Sequence, residues 1–438
     1  MKSDVVVVGA GHGGLIAGAK LAQNGLKVTI YEKNDKNNLS WDWKDCLEKW
    51  VFEEITLPTP EPYEYAIPAN FRFFSPNEQY WVETNIPPEH REIYMERKTL
   101  INKLVNYALQ AGVEIKFNHE VHEPIVENDQ ICGIKTAGEE HYANLVIDSA
   151  GINTPIRPQL PANYEIPAQL NHGDYIYAYR GCFQKQKNEY FWDIYIGHKN
   201  KRGIVWVNSS SLEEVDILMG FIHPFSDSSI SETLQELQKK YPVIGDKIIR
   251  GGQVEQIPVR RPLEKLVGNN YAVIGDAACM TNPLNGSGII RSMLAGNILA
   301  DKILEATKNT SFPFIIDSLW PYQVEYNRTI GADQGSTQIL KDFLINIDDF
   351  GKIDYLFQNK LLRAEDFEAG LKGKEFRLSP NEAIERASKG TSNINLLLEL
   401  GTTLEKAKKV KKHYLKTPSK YNNENINKWK TQLSKLLK

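Results

Sequence analysis

Three features of this 438-residue chain predict an α/β fold, α+β overall. The first is a run of four valines, Val5 to Val8, which passes directly into Gly9-Ala10-Gly11-His12-Gly13-Gly14 and then into small residues (Ala17, Gly18, Ala19, Ala22). That order reads as a buried parallel strand, a tight glycine turn and a closely packed helix. The second is a further apolar run, Lys27 to Tyr31, that ends at Glu32, 23 residues after Gly9. The third lies about 240 residues further on, where the apolar Tyr271 to Ile274 runs into Gly275-Asp276 and then into Gly286-Ser287-Gly288. The architecture expected is a Rossmann-like dinucleotide-binding domain, an inserted antiparallel-sheet substrate domain and a helical C-terminal region.

Taken in order, residues 1–33 form one βαβ unit with a turn at Asn24-Gly25. A helix from Arg97 to Ala111 with a strand Val113 to Phe117 belongs to the same domain. So does the strand Leu145 to Asp148, running into Ser149-Ala150-Gly151, and a helix opening near Gly288. Residues 37 to about 95 are rich in aromatics and proline. Residues 160–255 alternate in the manner of antiparallel strands, as in Tyr175-Ile176-Tyr177-Ala178-Tyr179. The boundaries expected are 1–36, 96–156 and 256–335 for the cofactor domain, 37–95 and 157–255 for the substrate domain, and 336–438 for the helical region.

Hydrophobic residues make up 41% and charged residues 24% of the chain. That balance belongs to a globular protein with a sizeable core, and it argues against a disordered, fibrous or membrane-embedded one. No stretch reaches the ~20 apolar residues that span a bilayer, and Val5 to Val8 lacks a leader's cleavage region, so a cytoplasmic protein is expected. Four cysteines with no CxxC pair argue against a disulfide framework or a zinc cage, and no metal is expected.

The formal net charge of −3 hides an asymmetry: residues 401–438 hold eleven lysines against two acids, which leaves the body acidic. An acidic body repels nucleic acid, so none is expected as a partner. The tail reads either as a solvated helical end or as a peripheral contact with anionic lipid headgroups or phosphates.

The glycine turn in this context points to a dinucleotide. Gly9 permits the turn, Gly11 admits a pyrophosphate, and Gly14 lets the helix approach the strand, while Glu32 is placed to accept from a ribose. A glycine loop serving only the turn is the plain alternative. The second site selects the dinucleotide. A nicotinamide enzyme has no use for Gly275-Asp276 and the Gly-Ser-Gly turn, whereas a flavin offers ribityl hydroxyls to a carboxylate and, when reduced, negative charge to helix N-terminal amides. FAD is therefore the expected cofactor; the plain alternative makes Asp276 a helix cap. His12 is expected to face solvent. Tyr175, Tyr177 and Tyr179 share one strand face and either wall an apolar tunnel or reflect ordinary strand composition. Tyr195 and Trp206 are the substrate-pocket candidates.

The set Gly9-x-Gly11-x-x-Gly14 with Glu32, Arg97 opening a helix, and Gly275-Asp276-Ala277-Ala278 followed by Asn282-Pro283 and Gly286-x-Gly288-Ile289 resembles that of the geranylgeranyl reductase family. That family lies among the p-hydroxybenzoate-hydroxylase-type flavoproteins, and the likeness covers roughly residues 1–330. It implies reduced FAD acting on isolated double bonds of prenyl chains. It also fills out the cofactor-binding set: Gly9, Ala10, Gly11, Gly14, Glu32, Lys33, Arg97, Val121, Ala150, Gly151, Gly275, Asp276, Gly286, Gly288 and Ile289. Three departures stand out. Cys46 occupies the region of the family's cysteine but is followed by no glycine turn. Gly203-Ile204-Val205-Trp206-Val207-Asn208 matches the family's aromatic substrate motif only in part. Ala150 stands where related hydroxylases carry Asp.

The expected activity is an FAD-dependent oxidoreductase that reduces C=C bonds of an apolar, prenyl-type substrate and is recharged by NAD(P)H or a small redox protein. Cys46 and Asp42 are the candidates for the proton donor; a plain buried thiol is the alternative for Cys46. A flavin hydroxylase, a redox-neutral flavin enzyme and a prenyl-binding escort remain as other classes.

Overall fold

The computed structural model describes residues 3–199, 201–308, 314–374 and 378–438. Along the chain run β1 (Ser3–Val8), α1 (His12–Gln23), β2 (Val28–Tyr31), β3 (Lys44–Leu47), α2 (Trp50–Glu54), β4 (Tyr65–Ala66), β5 (Phe71–Phe74), β6 (Trp81–Glu83), β7 (Ile93–Glu96) and α3 (Arg97–Gln110). Next come β8 (Glu114–Lys116), β9 (Val121–Glu127), β10 (Gln130–Thr136), β11 (Glu139–Asp148), β12 (Tyr175–Lys185), β13 (Trp192–His198), β14 (Lys201–Asn208), β15 (Glu214–Phe221), α4 (Asp227–Lys240), β16 (Ile244–Pro258), β17 (Val267–Gly268) and β18 (Tyr271–Val273). The C-terminal part is helical: α5 (Ile289–Thr307), α6 (Ile316–Tyr326), α7 (Ala332–Asn346), α8 (Gly351–Gln358), α9 (Ala364–Leu371), α10 (Pro380–Lys389), α11 (Ile394–Tyr414) and α12 (Asn423–Leu437).

The first sheet has the order β17-β18-β11-β1-β2-β8, and β1 pairs in parallel with both β11 and β2. Val5, Val6 and Val7 are fully buried between helical layers, which is why the strand is an unbroken apolar run. β11 begins six residues before the strand expected at Leu145. Its first half pairs antiparallel with β10 and its second half parallel with β1, so one long strand serves two ladders. The mixed composition of Glu139 to Asn144 conceals that double use.

The second sheet has seven strands, in the order β16-β12-β15-β14-β13-β5-β6. Its β12–β16 part is antiparallel, and β5, from the earlier segment, joins it in parallel on β13 with Phe71 opposite Trp192 and Phe73 opposite Ile194. A small third sheet has the order β3-β7-β4. The expected fold class, a Rossmann-like unit carrying an inserted antiparallel sheet and a helical C-terminal region, is the one observed.

The last helices close the body. Val410, Tyr414, Trp429 and Leu433 are buried with Ala332, Ile339 and Leu340 of α7, so the lysine-rich tail is anchored through its apolar face. No helix among the described residues is long and apolar enough to cross a membrane.

Candidate functional site

The site grows from two helix starts, those of α1 and α5, which pack directly against each other. α1 opens at Gly11 and α5 at Gly288, and neither has a side-chain cap. The Gly13 amide of α1 donates to the Ser292 hydroxyl of α5 at 3.1 Å, and no N-cap side chain covers the other first amides. The motif glycines are forced by contact: a Cβ at Gly9 would lie 2.8 Å from the Ser149 carbonyl, and one at Gly11 or Gly14 would lie 2.8 Å from the Ser149 hydroxyl. Gly9 also holds φ at +87°, a conformation that favours glycine. Gly275 and Gly286 hold positive φ in the same way.

Over α1 opens a cleft of about 330 Å³ whose walls include Gly9, Ala10, Gly11, Glu32, Lys33, Arg97, Val121, Ala150 and Gly151. Glu32 is nearly buried; its carboxylate accepts from the Ala10 amide at 2.8 Å and the Asn34 amide at 2.9 Å. It thereby pins the turn, and each oxygen keeps lone pairs for a further donor. His12 does not face solvent as expected. Its Nε2 is buried with no hydrogen-bond partner, and burial, reinforced by the Arg97 charge, lowers its pKa to about 3. The bulk of the chain around the glycine turn, invisible in a local motif, is what encloses it.

At the other end, Gly286, Ser287, Gly288 and Ile289 form part of the wall of a mostly apolar cavity of about 210 Å³. Asp276 sits beside this turn, its Oδ1 only 3.1 Å from where a Cβ on Gly288 would be. Burial raises the pKa of Asp276, with Arg97 opposing. Arg97 lines both the cleft and the cavity. It clasps Asp45 through Nε at 2.5 Å and Nη2 at 2.8 Å, and Arg180 reaches the same carboxylate at 3.4 Å. Burial favours a neutral Asp45, but the two guanidiniums outweigh it and hold the carboxyl below its ordinary range. Both guanidiniums also lie 5.0 Å from the Trp43 ring.

The far wall is a set of rows running across the second sheet. Phe73, Ile194, Trp206, Leu218 and Arg180 are directly opposite one another on five successive strands, and all five face the cavity. The next row contributes Ile196, Ile204 and Ala178. Phe367 of α9 stacks on Phe73 at 4.2 Å and closes one side.

Of the two substrate-pocket candidates, Trp206 lines this cavity. Tyr195 lies one residue out of phase, on the opposite face, packed on Phe74 and bonded to Tyr241. Tyr175, Tyr177 and Tyr179 likewise alternate with Ala178, the residue that reaches the cavity, so they do not wall it.

Of the two proton-donor candidates, Cys46 lines the cavity. Burial, then the charges of Glu92 and Asp45, raise its pKa well above the ordinary thiol value. Asp42 is outside, half exposed and paired with Lys98 and Arg250, each at 3.2 Å. Burial is outweighed there by those two cations, which keep Asp42 ionised and poorly suited to give a proton. Glu92, which the sequence reading passed over, also lines the cavity. Glu92 stands one residue before β7, in phase with Tyr94, and only the pairing of β7 with β3 brings it beside Cys46.

The unpartnered His12 nitrogen, the two uncapped helix starts, the side-chain-free turns and the carboxyl groups of Glu32 and Asp276 make a donor and acceptor set that fits a dinucleotide extending from the cleft to the cavity.

Comparison with known proteins agrees with that geometry. A family of NAD(P)-binding Rossmann-like domains matches residues 7–39. A digeranylgeranylglycerophospholipid reductase of Sulfolobus acidocaldarius is 26% identical over 100% of this chain and 98% of its own length. The enzyme of the same name from Methanocella arvoryzae is 28% identical over 80% of this chain and 89% of its own. Among solved structures, a geranylgeranyl bacteriochlorophyll reductase-like protein of Thermoplasma acidophilum superposes with a TM-score of 0.74 at 18% identity, covering 90% of this chain and 99% of that one. A flavin-dependent brominase superposes at 0.61, also at 18% identity, over 90% of this chain and 100% of its own. Sequence relatives and fold point the same way: this chain is similar over its whole length to a digeranylgeranylglycerophospholipid reductase, and its fold is that of solved structures that include a geranylgeranyl bacteriochlorophyll reductase-like protein and a flavin-dependent brominase.

Proposed function

We propose that the protein is an FAD-dependent oxidoreductase that saturates carbon–carbon double bonds in the prenyl chains of a lipid. The observation that carries this reading is the shared cavity: the Gly286–Ile289 turn and the apolar row Phe73, Ile194, Trp206 and Leu218 face the same space. A ring held on that turn would touch a chain held on that row. The names of the sequence relatives support the substrate class.

In this reading Gly9, Ala10, Gly11 and Gly14 form the pyrophosphate turn and Glu32 holds the ribose. Lys33, Val121, Ala150 and Gly151 border the adenosine side. Gly275 and Asp276 hold the ribityl chain, Gly286, Gly288 and Ile289 receive the ring, and Arg97 separates the two compartments. When bound, reduced FAD supplies a hydride equivalent. The chain's own contribution is to exclude water with Phe73, Trp206 and Phe367, to orient the alkene along the row, and to supply a proton. The donor that recharges the flavin is NAD(P)H or a small redox protein. The lysines of α11 and α12 are proposed to meet an anionic lipid surface.

The test is the absorption spectrum of the purified protein, taken anaerobically after chemical reduction. A prenyl lipid should restore the oxidised flavin spectrum with no oxygen present. Recovery only on admission of oxygen would favour a hydroxylase, and a colourless protein that takes up no FAD would favour an escort.

A further inference from the structure

Saturating an isolated alkene takes a hydride at one carbon and a proton at the other, and in an apolar cavity the proton needs a held source. Among the described residues the cavity wall carries three carboxyl groups. Asp45 is locked by Arg97 and Arg180. Asp366 is locked by Arg386 and by the Arg363 amide at 2.8 Å, as the cap of α9. Glu92 has neither kind of lock. The antiparallel register of β3 on β7 places Cys46 opposite Tyr94 and Leu47 opposite Ile93. Continued by one residue, that register puts Glu48 opposite Glu92, and Cys46 diagonal to it on the same face. Cys46 and Glu92 both line the cavity, and the Glu92 charge is one of the causes that raise the Cys46 pKa.

Resting on the alkene-reductase reading, we propose that Glu92 is the proton donor, with Cys46 as the group that steadies its carboxylate after the proton has left. The C=C π bond breaks. One carbon gains a hydride, two electrons and a hydrogen, from reduced flavin, which a two-electron donor has recharged. The π pair at the other carbon takes the carboxyl proton of Glu92. Glu92 is left as a carboxylate that accepts from the Cys46 thiol and regains a proton from water once product departs.

The surroundings suit the task. Burial is the main cause, and the like charge of Glu48 the second, that lift the pKa of Glu92 to about 7; the neighbouring Cys46 and the charges of Lys372 and Arg291 oppose them. The carboxyl is thus held half-protonated near neutral pH, where an acid can both give and recover a proton.

The experiment uses flavin-loaded protein, reduced anaerobically and mixed with a short prenyl alcohol in detergent, for the wild type, Glu92→Gln and Glu92→Asp. Reoxidation by the wild type should fall as pH rises through about 7. In Glu92→Gln it should drop by about 10²–10⁴-fold and lose that pH limb, while Glu92→Asp keeps the limb. Bound flavin should be unchanged in all three.

A second readout needs no turnover: in a Cys132→Ser background, maleimide labelling of Cys46 in flavin-free protein. Glu92→Gln should speed labelling, because the carboxylate that suppresses the thiolate is gone. Wild-type rate and pH limb in Glu92→Gln would overturn the proton donor alone. A wild type that binds flavin but never transfers to the alkene would overturn the reductase reading beneath it.

Discussion

Replacing Gly296 with alanine should weaken the protein and loosen the cofactor site together. α1 and α5 cross at backbone contact. A Cβ on Gly296 would sit 2.2 Å from the Gly13 carbonyl oxygen, and one on Gly13 would sit 2.3 Å from the Ser292 carbonyl oxygen. Ordinary contact begins near 3.4 Å, so the helices must part by about 1 Å, and no side chain can swing aside to spare them.

Overpacking of this kind costs about 1–3 kcal/mol. The hydrogen bond from the Gly13 amide to the Ser292 hydroxyl at 3.1 Å would be stretched as well, a further ~1 kcal/mol. Alanine's helix propensity returns about 1 kcal/mol. The net is a loss of about 1–3 kcal/mol. Thermal unfolding should read this as a fall of a few degrees, since 1 kcal/mol shifts Tm by about 2–4 °C at 150–250 residues and less in a longer chain. The same displacement moves the start of α1 relative to that of α5, so retained flavin should fall beyond what the lost stability accounts for. Gly401→Ala is the contrast: it lies within α11 with nothing within 4 Å of its Cβ, and should stabilise by up to about 1 kcal/mol. A Gly296→Ala protein as stable and as yellow as the wild type would refute the backbone crossing.

Asp276→Ala should lower flavin retained on purification by the equivalent of about 1.5–3 kcal/mol, the worth of a charged hydrogen bond, measured by absorbance per protein. Trp429→Ala should cost about 3 kcal/mol in denaturant unfolding at any salt concentration, because the ring is buried in the α7–α11–α12 core; a salt-dependent loss would mean the tail acts only through its charge. Glu92 holds its proton more tightly folded than unfolded, so flavin-free protein should lose stability as pH rises from about 4.5 to about 7 and no further. At about 1.4 kcal/mol per pKa unit this is at most ~3 kcal/mol, and Glu92→Gln should abolish it in urea titrations at several pH values. Asp45 has the opposite sign. Its depressed pKa stabilises above the unfolded value near 4 and is lost on acidification below it, so Arg97→Met should flatten the acid limb of a melting curve.

The parts legible in the sequence were those in which one local pattern has one physical reading. Four valines followed by spaced glycines gave both strand burial and a turn closed to side chains, and Asp276 beside a Gly-Ser-Gly turn marked the second helix start. What was hidden depended on pairing between distant segments. Tyr195 and Ile194 are equally apolar neighbours, and only the register with Phe73 and Trp206 decides which of them meets the cavity. Asp42 and Glu92 are both acids near aromatic residues. The difference between an ionised surface carboxylate and a protonatable one lies in Lys98 and Arg250 around the first, and in Glu48 and an apolar wall around the second. His12 shows the same limit: its place in the glycine turn says nothing about the Arg97 side chain that comes to stand beside it.

The pairing of β5 with β13 also fixes the order in which this protein can be made. Phe71 meets Trp192 only after a loop of about 120 residues has closed, and contacts of such long range form late and slowly. Phe73 waits longer still for Phe367, its stacking partner. At ~5–20 residues per second on the ribosome, the nearly 300 residues between them take roughly 15–60 s to emerge. Throughout that interval the aromatic wall of the cavity is a bare apolar surface on a nascent chain. The wall that closes the cavity of the finished protein is thus exposed while the chain is being made, and co-expressed holdase chaperones are expected to raise its yield.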